Sequence, residues 1–268
     1  MTLSIVIFNY NYHRFLDKLF DSLTYALNHK QINIFFCDDG SSDDSLNFVS
    51  NYIEEKNIDN LTIIEVSNMN DKRIYPSGGQ LEGIKKLVEN DDVNLNDYIA
   101  FIDSDDWFDV GSVKSILDEI NNNSYLIYLN DLRDSVSYNN LPSEKQAIKR
   151  YVNKQESKIW ATIVPTSGIV IKKQILIENI ESITNQGKEF CDVWLDSRIN
   201  MLALNYKNSV KYTDIVAYRY MHGSNDSLKF DLKRTVQKQL QASKYFNYIV
   251  KVKLKFNLRK KILEIIGG

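Results

Sequence analysis

Tyr98-Ile99-Ala100-Phe101-Ile102-Asp103-Ser104-Asp105-Asp106 is a short apolar run that stops abruptly in three carboxylates. Acids confined to the C-terminal end of an apolar segment fit a buried parallel strand whose tip faces a ligand crevice. Asp103 and Asp105 are two residues apart, so in an extended chain both side chains project from the same side. Carboxylates converging there repel one another unless a cation sits between them. Oxygen ligands favour Mg²⁺ or Mn²⁺, ions that commonly bridge phosphate oxygens.

Working outward, strand and helix patterns alternate on both sides of this segment, which predicts a parallel α/β sheet. Leu3 to Phe8 reads as a buried strand, and Phe15, Leu16, Leu19, Phe20, Leu23 and Leu27 follow at helical spacing. Ile32 to Cys37 is a second apolar strand, stopped by Asp38-Asp39-Gly40-Ser41-Ser42, with Asp43 or Asp44 placed to cap the next helix. Leu61 to Val66 makes a third strand, Gly79 to Glu89 a helix, Val110 to Ile120 another, and Tyr125 to Leu129 a further strand. Beyond Asn130 the pattern loosens. Asn130 to Leu141 is polar and reads as a loop, Ser167 to Ile171 as a strand, Cys191 to Leu204 as a helix and Val210 to Tyr220 as a strand.

Bulk properties narrow the class. The chain has 268 residues, 43% of them hydrophobic and 25% charged, which is ordinary for a globular protein with one large core. A net charge of −2 argues against nucleic acid as a general partner. Cys37 and Cys191 lie far apart in no metal or redox spacing, which fits a reduced, cytoplasmic protein. The start, MTLSIVIFNY, has no basic n-region, and no apolar run is long enough to span a bilayer.

In an open parallel sheet the strand ends lie along one edge, so Asp38 and Asp39 would border the same crevice as Asp103 and Asp105. Alone, Asp-Asp-Gly-Ser-Ser-Asp serves equally well as a turn and helix cap. Other acid-rich devices fail on spacing. An EF-hand from Asp103 would need glycine at Phe108 and glutamate at Lys114. GxGxxG after the first strand, GxxxxGK[ST], HExxH and GxSxG are all missing.

With these residues in view, the chain resembles the family 2 glycosyltransferases over roughly Leu3 to Ser227. Ser4-Ile5-Val6-Ile7-Phe8-Asn9-Tyr10-Asn11 is similar to their first-strand signature, with Phe8 where Pro is usual. Cys37-Asp38-Asp39-Gly40-Ser41-Ser42-Asp43 resembles their second-strand motif, and Asp103-Ser104-Asp105 their metal-binding DxD. Cys191-Asp192-Val193-Trp194-Leu195 is similar to the Glu-Asp-x-x-Leu segment that carries the catalytic base, with Cys191 in place of Glu. Tyr218-Arg219-Tyr220-Met221-His222-Gly223-Ser224 resembles their Tyr-Arg-x-His segment. One departure is Gly79-Gln80-Leu81-Glu82-Gly83, where the family often reads Ala-Arg-Asn-x-Gly; Lys72 and Arg73 are the nearby cations left to contact phosphate.

The resemblance implies a GT-A fold, Rossmann-like with a mostly parallel sheet flanked by helices, over residues 1–227. It implies an inverting transfer of sugar from a nucleotide-diphosphate donor, a UDP-sugar first, to a glycan, glycoprotein or lipid-linked acceptor. Donor contacts are expected from Phe8, Asn9, Tyr10, Asn11, Asp38, Asp39, Gly40, Ser41, Gly79, Asp103, Ser104 and Asp105. Asp103, Asp105 and His222 would hold Mn²⁺ or Mg²⁺, and Asp192 would be the base. Of the tryptophans, Trp107 is expected to line the site and Trp194 to sit in the core. A sugar nucleotidyltransferase and a catalytically silent carbohydrate-binding domain are the rival readings. Residues 228–268 form a basic helical extension, with eleven Lys or Arg against one Asp between Lys229 and Lys261. Its interleaved apolar residues, Leu240, Tyr245, Phe246, Ile249 and Val250 among them, suit either a helix docked on the core, a self-association contact, or a helix at the inner face of an anionic membrane.

Overall fold

Leu3–Asn9 (β1) is buried along its whole length, and that follows from having helices on both faces. Ile5 and Ile7 enter one apolar cluster, Val6 and Phe8 another. The computed structural model describes residues 1–67, 78–90, 95–135, 164–222 and 232–251. Lys72, Arg73, Gly223 and Ser224 lie outside these residues, as does the tail past Lys251.

Chain order continues with α1 (Leu16–Ser22), α2 (Thr24–Leu27), β2 (Ile32–Asp39), α3 (Ser45–Lys56), β3 (Leu61–Ser67) and α4 (Gly78–Asn90). Then come β4 (Tyr98–Asp103), the two-residue β5 (Trp107–Phe108), α5 (Ser112–Asn122) and β6 (Ile127–Ser135). The second half contributes β7 (Ile169–Lys172), α6 (Lys173–Glu178), α7 (Ile180–Thr184), α8 (Leu195–Ala203), β8 (Val210–Tyr220) and α9 (Leu232–Ile249). Among the described residues eight strands form one sheet in the order β3-β2-β1-β4-β7-β6-β8-β5.

β1 pairs in parallel with β2 and β4, and β2 with β3, so the tips at Asn9, Asp39 and Asp103 share one edge. β7 runs antiparallel to both β4 and β6, and β8 runs parallel to β6 and antiparallel to β5. One face packs on α1, α2, α3 and α5 through residues such as Leu19, Phe20, Val49 and Ile116. The other packs on α4, α6, α7, α8 and α9 through Leu81, Leu176, Ile183, Ile199 and Tyr245. Each such side chain taken fully out of water contributes about 1.5–3 kcal/mol.

Two expectations need correction. The segment from Asn130 is strand as far as Ser135, because its polar residues find partners across β8: Arg219 bridges to Asp134 at 2.7 Å and Thr213 bonds Asn130 at 2.7 Å. The helix expected from Cys191 begins only at Leu195, with Trp194 in extended conformation at its N-cap, so Asp192 does not cap it. In α9, Tyr245, Phe246 and Ile249 are 0–6% exposed and pack in the core, as in the docked-helix reading of this segment. No helix among the described residues is long and apolar enough to cross a membrane.

Candidate functional site

The tips of β1 and β2 are tied by a network of side chains. Asn9 Nδ2 donates to Asp38 Oδ2 (2.8 Å) and to Ser41 Oγ (3.1 Å), while its Oδ1 accepts from Ser104 Oγ (2.8 Å). Asp38 accepts from Ser41 N at 2.8 Å and from Ser41 Oγ at 2.6 Å. Asn11 has φ of 56°, a region asparagine tolerates, and its Oδ1 accepts from the Ser42 amide at 2.7 Å. Gly40, at φ of 70°, makes the turn after β2. Asp38, Ser41 and Ser104 are 0–3% exposed, so they brace the loops from within.

Above this edge is a cavity of about 390 Å³. Phe8, Asn9, Tyr10, Asp39, Gly79, Asp103 and Asp105 line it, together with Tyr12, Gln80, Trp194, Asp196, Arg219 and Lys238. Asp39 is fixed by Ser67 Oγ at 2.8 Å. A Cβ on Gly79 would stand 2.3 Å from Asp39 Oδ2, so only glycine lets α4 approach this closely.

Three acids crowd the end of β4. Asp103 accepts from Gln80 Nε2 at 2.8 Å, and Asp106 accepts from Ser167 Oγ (2.5 Å) and the Tyr220 amide (3.0 Å). Burial, reinforced by the charges of Asp105 and Asp196, pushes the Asp103 carboxyl up to about 8. Burial and the charges of Asp105 and Asp103 also raise Asp106 well above the usual range. Tyr12 is pushed up to about 12, first by burial and then by Asp105 and Asp103. A region that penalises negative charge this strongly is suited to a cation.

His222 Nε2 lies 2.9 Å from Asp105 Oδ2, across 117 residues of sequence, in an aromatic setting made by Tyr12, Phe15 and Tyr220. Two carboxylates and an imidazole are a donor set that suits Mn²⁺ or Mg²⁺. Among the described residues, no three His, Cys, Asp or Glu side chains are gathered in a ready-made cage.

The residues near the start of α8 depart from expectation. Asp192 is not on the cavity wall; its amide donates to Gln241 Oε1 of α9 at 2.7 Å. Trp194 and Asp196 are on the wall, and Lys238 of α9 stands 5.8 Å from the Trp194 ring. Trp107, expected to line the site, is 3% exposed and stacks on Tyr218 with centroids 5.6 Å apart. Gln80, which stands at the missing arginine, Tyr12, Asp196 and Lys238 went unnoticed in the sequence. Gln80 alone had a usable signal, its place in the departing motif.

The model of glycosyl transferase family 2 matches residues 4–180, and the chain belongs to that family. It is 22% identical over 236 residues to the uncharacterized glycosyltransferase alr2836 of Nostoc sp., covering 85% of this chain and 67% of that protein. Its fold is similar to Staphylococcus aureus TarS 1–349 in complex with UDP-GlcNAc, with a TM-score of 0.62 at 14% identity, covering 98% of this chain and 70% of that one. It is likewise similar to the mannosyltransferase PcManGT of Pyrobaculum calidifontis in complex with GDP-Man and Mn²⁺, with a TM-score of 0.59 at 12% identity, covering 98% and 68% of the two chains. The mixed α/β architecture is therefore the GT-A fold.

Proposed function

We propose that this chain transfers a sugar from a nucleoside-diphosphate donor, a UDP-sugar first, to a hydroxyl of a glycan, glycoprotein or lipid-linked acceptor, with inversion at the anomeric carbon. The observation that carries the reading is the cavity at the shared edge of β1, β2 and β4, where Asp39, Asp103 and Asp105 converge. The nucleotide-sugar complexes of TarS and PcManGT support it.

Asp39 accepts hydrogen bonds from the base or ribose, and Tyr10, 38% exposed at the mouth, packs on the base. Phe8, Asn9 and Gly79 shape the floor, while Asn11, Asp38, Gly40, Ser41 and Ser104 hold the two loops. Asp105 and His222, with Asp103 beside them, would hold the divalent metal, Mn²⁺ or Mg²⁺. When bound, it neutralises the charge that grows on the diphosphate leaving group. Arg219, paired to Asp134 at 2.7 Å, keeps the wall rigid.

A screen of UDP- and GDP-sugars with and without Mn²⁺, read as nucleoside diphosphate released, tests the reading. Metal-dependent release from one donor is expected. Nucleotide binding without any release would point to a silent binding domain of the same fold.

A further inference from the structure

We infer that α9 is part of the catalytic unit, and that Gln241 on it is the positioning residue for Asp192, the carboxylate expected to take the proton from the acceptor hydroxyl. The inference rests on the glycosyltransferase reading above. Gln241 Oε1 accepts from the Asp192 amide at 2.7 Å, across 49 residues of sequence. A backbone N–H can only donate, so this bond fixes which way round the Gln241 amide lies and leaves its Nε2 for Cys191 Sγ, 3.4 Å away. The thiol in turn donates to the Lys188 carbonyl at 3.4 Å. One side chain thus grips both residues of the Cys191-Asp192 pair.

A side chain that answers a loop amide is common where a helix docks. Gln241 goes beyond that because it works in a row. Lys238, Gln241, Tyr245 and Tyr248 recur at helical spacing on one face of α9, and all four meet the same short stretch, Phe190 to Trp194. Lys238 Nζ lies 5.8 Å from the centroid of the Trp194 ring, and the rings of Tyr245 and Tyr248 lie 5.2 and 5.3 Å from that of Phe190. Val193, the remaining residue of the stretch, is 1% exposed, and its carbonyl accepts from Arg198 Nε at 2.6 Å.

Phe190 to Trp194 has no helix or strand of its own, and α8 begins only at Leu195. Its backbone groups therefore depend on partners supplied from elsewhere in the chain. The chain reaches the cavity wall two residues past Asp192, at Trp194. An aspartate side chain is short, so its reach to an acceptor is set by where its backbone is held. A misplacement of about 1 Å can cost about 10²-fold in rate. Gln241 holds that backbone at Asp192 itself, while Lys238 and Tyr245 meet the stretch at its two ends.

The test uses the full chain with Mn²⁺ and whichever UDP- or GDP-sugar it turns over, water serving as acceptor where no other is known. Gln241→Met removes both bonds and is expected to lower kcat by about 10- to 100-fold. KM for the donor, and the affinity for UDP or GDP measured by calorimetry, stay within a factor of about two. Gln241→Glu keeps an acceptor for the Asp192 amide and is expected to recover part of kcat. Asn205→Ala is the control: Asn205 ties the end of α9 through the Ile249 carbonyl and the Lys251 amide, both at 2.8 Å, so its loss loosens the helix there and leaves kcat unchanged. Asp192→Asn is expected to lower kcat by about 10²- to 10⁴-fold. Adding Gln241→Met to it costs nothing further, because the glutamine acts through that residue. Retention of kcat by Gln241→Met or by Asp192→Asn, additive losses in the double variant, or an equal loss in Asn205→Ala overturns the assignment while leaving the glycosyltransferase reading intact. Failure of the unaltered chain to bind any nucleotide or release any diphosphate overturns both.

Discussion

The guanidinium of Arg198 lies 4.8 Å from the ring centroid of Tyr245, joining the first turns of α8 to the last turns of α9. Arg198 is fully buried and donates to four backbone carbonyls between Ile183 and Val193, while Tyr245 Oη donates to the Ser182 carbonyl at 3.1 Å. One cation thus organises the irregular segment that leads to the cavity wall and fastens the C-terminal helix over it.

Replacing that cation removes several buried hydrogen bonds at once. An unsatisfied buried polar group costs about 1–3 kcal/mol, so Arg198→Met is expected to lower the unfolding free energy by about 3 kcal/mol or more. Arg198→Lys should recover little, because an ammonium cannot copy the planar fork. Urea titration of both variants decides it, and a loss under about 1 kcal/mol for either would contradict this account.

Asp105→Ala is expected to abolish transfer and to weaken UDP binding only when Mn²⁺ is present. The basis is the 2.9 Å contact between Asp105, on the cavity wall, and His222. Calorimetric titrations with and without the metal separate the cases. Full activity in metal-supplemented buffer would sink the metal assignment.

Gly79→Ala places a methyl group 2.3 Å from Asp39 Oδ2 and 2.4 Å from its Cγ, so Asp39 must move. UDP affinity should fall about tenfold, equivalent to about 1.4 kcal/mol. Gly111→Ala is the companion measurement: its φ is +80° with no atom within 4 Å, so it strains the backbone by about 1–2 kcal/mol and leaves UDP binding unchanged. Equal UDP affinity in both variants would refute the role given to the Gly79–Asp39 contact.

The two thiols should differ sharply in reactivity. Cys37 is 1% exposed, and burial with the charge of Asp38 pushes its thiol up to about 12, so almost no thiolate exists at pH 8. Cys191 is partly exposed. A thiol reagent at pH 8 is expected to label Cys191 alone in the folded protein and both cysteines in denaturant, as peptide mass mapping would show. Rapid labelling of folded Cys37 would mean that the β2 tip opens.

The parts legible in the sequence were those written in local order. Apolar strands ending in acids at Asp38–Asp39 and Asp103–Asp106 announced both the parallel half of the sheet and the edge where the cavity forms. What stayed hidden depends on distant partners. Asn130 to Ser135 reads as loop until Arg219 and Thr213 arrive from β8 to answer its polar groups. Trp107 follows the acids directly yet is swallowed by Tyr218, while Trp194, at helical spacing from core residues, turns outward because the helix starts only after it.

The 117 residues between Asp105 and His222 also order events in time. The links among β1, β2 and β4 span at most 96 residues, so this edge of the sheet can assemble while the chain is still being synthesised. His222 reaches Asp105 only after β8 has closed the far side of the sheet. Until then the crowded acids lack that imidazole, and a divalent ion in the surroundings that bound them would act as a folding ligand.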